Sequence, residues 1–184
     1  QQGAFAEAIS ILQPIIDAPI APRWLDPYER VYGDSLIARG DATARAKGFA
    51  LFATMLAEAR TRTQRLEAAK RLANAPEISQ RLEAAHVYVS AGEFVEASKV
   101  LATFASTADT KYNDRIEYLR ARVTLATDTN RDTGRTALLA VAKAHPNTRS
   151  GRLALMHAAR SYYSSGEEPR HAEKKEAAAV IQLR

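Results

Sequence analysis

Four histidines, His86, His145, His157 and His171, and a serine cluster at Ser161, Ser164 and Ser165 are the side chains best suited to chemistry. Catalysis or metal binding would demand particular neighbours. A zinc site needs ligands spaced to converge on one ion, commonly two histidines one helical turn apart. No two of these histidines have that spacing, and no metal is expected. A nucleophilic serine needs a glycine elbow and an assigned base, and this cluster has neither, so capping and turn roles account for it. The paired acids Glu167–Glu168 and Asp128–Asp132 fall in turn-like stretches, where solvation is their ordinary state. Glycines stand singly near helix ends and form no phosphate-cradling loop. The expectation is a chain without catalysis or cofactor.

Charge narrows the partner classes. The formal charge is +5, and arginines cluster at Arg60, Arg62, Arg65 and Arg71. Glu58 and Glu67 interleave with them, as on a solvated helix face. Nucleic-acid binding favours a denser basic stripe with aromatic side chains for base stacking, and this stretch carries no aromatic residue. Tyr162-Tyr163 reads as one core and one groove residue rather than a stacking platform for bases. The longest apolar run, residues 48–57, is too short to span a bilayer, so no membrane insertion is expected. Cysteine is absent, which excludes disulfides and thiolate metal sites. The chain opens at Gln1 and stops in an apolar stretch at Ile181-Gln182-Leu183, and reads as a piece of a longer protein.

The elements that must position these residues are helices. Alanine and leucine dominate, while glycine numbers 8 and proline 7. Residues 3–17 form one helix, closed by Ala18-Pro19-Ile20-Ala21-Pro22, because proline disfavours helix at and just before itself. Asp26, Pro27 and Glu29 make a good helix start, and that helix runs to Arg39 and stops at Gly40. Asp41 opens a longer helix with a stripe of Phe49, Phe52, Leu56, Ala59, Thr63 and Leu66. Thr61, with Gln64 three residues on, has the form of a helix cap and places a break near residues 60–62. Asn74-Ala75-Pro76 ends this region and marks a possible sub-boundary. Beyond it, helices are expected over 77–91, 93–106, 112–126, 133–144, 148–164 and 169–183.

These helices carry a recurring pattern. Leu82, Ala85, Tyr88, Gly92, Phe94, Ala97 and Leu101 recur as Met156, Ala159, Tyr162 and Gly166. A degenerate copy runs Tyr118, Ala121, Thr124 and Asp128, and Gly3, Phe5, Ala8 and Leu12 repeat the second half of the unit. Small residues at these offsets let two helices approach closely, and large ones fill the space between neighbouring pairs. Such a repeat points to a helical solenoid.

The repeat resembles the tetratricopeptide repeat family, in which a small residue, an aromatic, a glycine, a second aromatic and an alanine hold fixed positions. Ala85, Tyr88, Gly92, Phe94 and Ala97 match all five, whereas Asp128 replaces the glycine and Leu36 replaces the aromatic in the pair around Gly33–Gly40. Residues 41–74 do not fit one unit. The resemblance implies an all-α fold, a right-handed solenoid of antiparallel helix pairs spanning 1–184. It also implies that the first helix of each pair lines a concave groove, into which the residue after the small one points: His86, Arg122 and Arg160. One turn on come Val89, Leu125 and Tyr163; one turn back come Leu82, Tyr118 and Met156. Arginine and histidine beside aromatic groups suit a protein or peptide partner of acidic character. The alternative for the arginines is pairing with Glu83 or Glu117 on adjacent helices. The family's chaperone-tail clamp uses lysine and asparagine, which are not found at these positions.

The implied function is a non-catalytic scaffold or adaptor that holds its partner at His86, Tyr118, Arg122, Arg160 and Tyr163. Two other classes fit the same residues. One is an accessory superhelical domain of a bacterial cell-envelope enzyme resembling a lytic transglycosylase, and the other is a structural subunit that self-associates through its open ends. Alanine richness and arginine over lysine hint at a bacterial source, with the periplasm slightly favoured over the cytoplasm.

Overall fold

A computed structural model describes residues 2–18, 26–104 and 110–163, and the expected helix over 169–183, with Gly166, lies outside them. Among the described residues the chain is helical without strands, and sequence neighbours pack on one another. The helices are α1 (Gln2–Ile16), α2 (Asp26–Arg39), α3 (Ala42–Glu58), α4 (Arg62–Leu72) and α5 (Ile78–Ala91). They continue as α6 (Phe94–Ala102), a single 3-10 turn at Thr110–Tyr112, α7 (Asn113–Thr127), α8 (Arg131–Ala144) and α9 (Arg149–Tyr163). The chain divides into two compact units, 1–87 and 88–184, with the boundary inside α5.

In the first unit α1 packs on α2, α2 on α3 and α3 on α4. Tyr32, Leu36 and Ala44 form a buried cluster, covered by Ile9, Leu12, Ile16 and Leu51. The Asp41 side chain caps α3 by accepting from the Ala44 amide at 2.8 Å. The break near residue 60 is present: Ala59 turns extended and Thr61 starts α4 with a reciprocal capping box to Gln64. The apolar stripe changes face there. Phe49 and Phe52 are buried on α3, yet Thr63 is exposed, and Ala68, Ala69 and Leu72 form the buried side of α4. An extended residue between two helices resets their rotation, so a stripe that stays in phase along the sequence need not stay on one face.

In the second unit α6 packs on α7, α7 on α8, α8 on α9, and α7 also on α9. Gly92 has φ +81, which L side chains rarely adopt. There Glu93 donates to the Tyr88 carbonyl at 2.9 Å and Gly92 to that of Val89 at 3.3 Å, the paired bonds that finish a helix before a left-handed residue. Asn130 caps α8 by accepting from the Asp132 amide at 3.0 Å. A Cβ on Gly134 would stand 2.2 Å from Leu125 Cα, so only glycine allows α8 to lie this close to the end of α7.

Arginines close two helix ends in this unit. Arg120 Nη2 donates to the carbonyl of Leu101 at 3.1 Å, in the last turn of α6, and to that of Phe104 at 2.8 Å, just beyond it. Arg135 is buried at 3% exposure, and donates to Ser161 Oγ at 3.0 Å and to the Ser161 carbonyl at 2.9 Å. Its guanidinium also pairs with Asp132 at 2.8 Å and lies 4.2 Å over the Tyr162 ring.

Candidate functional site

α7 places Tyr118 and Arg122 one helical turn apart on one face, and α9 places His157 and Arg160 on a face packed against it. Arg122 Nη1 donates to the Tyr118 hydroxyl oxygen at 3.1 Å and lies 2.9 Å from His157 Nε2. A guanidinium only donates, so His157 Nε2 accepts and the proton of the neutral ring sits on Nδ1. The rings of Tyr118 and His157 lie 6.0 Å apart at a tilt of 36°. Burial first, then the nearby charges of Arg122 and Arg160, push the His157 imidazole down to about 4. This histidine is neutral at ordinary pH.

Arg122, His157 and Arg160 line a cavity of about 420 Å³, with Leu125, Ala126 and Ser161 in its wall. Asp128, Thr129 and Arg131, from the α7–α8 turn and the start of α8, complete it. Three guanidiniums therefore face one carboxylate. Asp128 is held in its turn by the Asn130 amide, which donates to its Oδ1 at 2.9 Å. Among the described residues neither Arg131 nor Arg160 has an acidic group within ion-pair distance. Glu117, one of the two acids that pairing of the arginines would use, instead lies 3.0 Å from His145 Nε2.

The anticipated groove residues separate on these facts. Arg122 and Arg160 meet at one cavity. Tyr118 is 5% exposed, so it acts through its hydroxyl on Arg122 and offers no open surface. Leu82 and Val89 are buried as well and belong to the core, while Leu125 reaches the cavity and Met156 is exposed. The expected small residue Ala159 is half-buried; its neighbour Ala158 is the one packed out of solvent. His86 is exposed on α5 within the first unit. Tyr163 ends α9, and its side chain lies outside what is described.

Arg131 is the residue that sequence reasoning did not single out for the site, whereas His157, mid-helix beside Met156, reads from sequence as a packing or groove residue. Arginine and histidine three residues apart on α9, with tyrosine and arginine four apart on α7, form two polar faces, and that spacing was the signal available. Arg131 had none, since its place depends on where α8 starts. Among the described residues no group of three or more histidine, aspartate or glutamate side chains could hold a metal ion. None of the described helices is long and apolar enough to cross a membrane. The arrangement can bind and orient an anion. No family model, no curated protein and no solved structure is matched by this chain.

Proposed function

We propose that this chain is a non-catalytic protein-binding scaffold, a helical array of the tetratricopeptide kind that holds an acidic peptide or domain at the α7–α9 surface. The observation that carries it is a cavity where Arg122, Arg131 and Arg160 face a single carboxylate, with their charge left unneutralised among the described residues. A guanidinium grips a carboxylate through two parallel hydrogen bonds, and Arg122, already fixed by Tyr118 and His157, loses little freedom on doing so. The repeat supports the array, as does the contact of α7 with both α8 and α9, which first helices of successive pairs would make.

The test compares what the chain and an Arg122→Glu/Arg160→Glu variant each hold from a native lysate, identified by mass spectrometry. Circular dichroism checks that the variant keeps its helicity. An acidic partner held by the chain and lost by the folded variant is the expected result. Equal capture by both overturns the reading.

A further inference from the structure

On the scaffold reading, we propose that the cavity between α7, the start of α8 and α9 takes a compact dianion of the partner, held between Arg122, Arg131 and Arg160. Among the described residues the lining carries three guanidiniums and one carboxylate, which leaves two positive charges. Among the described residues neither Glu117, held against His145 Nε2, nor Asp132, engaged by the buried Arg135, lines the cavity. Arg122 meets neutral acceptors, the Tyr118 hydroxyl and the His157 imidazole. A single carboxylate would leave one charge in place, whereas two adjacent carboxylates or one phosphomonoester would match the cavity. Each guanidinium comes from a different element, which suits a compact group approached from several sides.

His157 supplies a readout at the site. Arg122 and Tyr118 on α7, Arg160 on its own helix, Arg131 on α8 and Asp128 in the turn are the titratable and charged groups around it. A dianion among these arginines offsets the repulsion that disfavours the imidazolium, so His157 gains a proton more easily when the cavity is filled.

The experiment follows the labelled His157 ring by NMR in the whole chain from pH 7 to 3, in sodium sulfate and in sodium chloride at equal ionic strength. Sulfate stays doubly charged across that range. In chloride the midpoint is expected at about 4, and in sulfate about one pH unit higher. Arg131→Gln and Arg160→Gln, both exposed positions, each shrink the difference between salts. At pH 7 the Nε–H signals of the three arginines move saturably with sulfate and not with chloride, which keeps the test open if the fold fails in acid. Competition by peptides bearing Glu-Glu or a phosphoserine tells the two sources of the dianion apart. Equal midpoints in both salts, or a difference that survives both variants, overturns the proposal. Loss of the sulfate response with a partner still captured through Arg122 and Arg160 overturns the dianion and spares the scaffold. A sulfate response without any captured partner keeps the site and overturns the scaffold.

Discussion

Each unit holds an arginine between two of its helices, and the two arginines end in different chemical states. In the first unit Arg71 lies 5.6 Å from the Phe52 ring. It donates to both oxygens of Asp34, at 3.2 and 3.0 Å, and to the Glu67 carboxylate. The Asp34 hydrogen bond, set against partial burial and joined by Glu67, raises its pKa. In the second unit Arg122 has comparable support, but its partners are a hydroxyl and an imidazole. Acids neutralise Arg71 and turn it into a tie between α2 and α4. Neutral acceptors orient Arg122 and leave its charge in place. The type of acceptor, more than the presence of arginine, separates a neutralised cation from one that keeps its charge.

The units also differ in how their helices approach. A Cβ on Gly48 of α3 would stand 2.9 Å from the Gly33 carbonyl, whereas one on Gly134 would overlap the Leu125 backbone at 2.2 Å. Gly134→Ala therefore has the largest expected effect, a loss of about 3 kcal/mol from forced separation of α7 and α8. Hydrogen exchange should quicken in α7 and α8 before α2 and α3. Equal quickening in both units would erase the contrast. Next comes Arg135→Ala, which removes the guanidinium bond to the Ser161 carbonyl and the packing over Tyr162, at a cost of about 2 kcal/mol in chemical denaturation.

The third test uses acid. His157 is held neutral down to about 4 in the folded chain, while an unfolded chain protonates it near the ordinary value of ~6.5. Between those values the unfolded state binds more protons, so this histidine makes stability fall as pH drops through that window. His157→Gln keeps an acceptor for Arg122 and should flatten the slope of denaturation midpoint against pH. An unchanged slope would place the acid sensitivity elsewhere. The smallest effect belongs to Asp34→Asn, about 0.5 kcal/mol in thermal melts, because solvent screens this partly exposed pair. A cost comparable to that of Arg135→Ala would make the first unit's tie as important as the second's.

Local signals carried most of the helix boundaries. Thr61 and Gln64 cap each other across one turn, Asp41 accepts from an amide three residues on, and Gly92 finishes α5 through its own backbone freedom. Each depends on a few consecutive residues, and therefore reads directly from sequence. The site was half legible: Tyr118 and Arg122, and Arg160 on α9, stand at spacings that any helix turns to one side. The rest was not, because it depends on rotation and approach. Ala158 rather than Ala159 faces the core through a small turn of α9, which also brings His157 to Arg122. Gly134 looks like an ordinary weak point in a helix until Leu125 lies against it.

The order and kind of the helices, their caps and the excess of arginine follow from the residue types and their near neighbours, whose interactions span a turn or two. Which arginines are neutralised is a tertiary result. Arg71 reaches Asp34 across 37 residues and Arg122 reaches His157 across 35. Over such separations the partner is chosen by how two helices pack, since a guanidinium bonds whatever acceptor the facing helix presents.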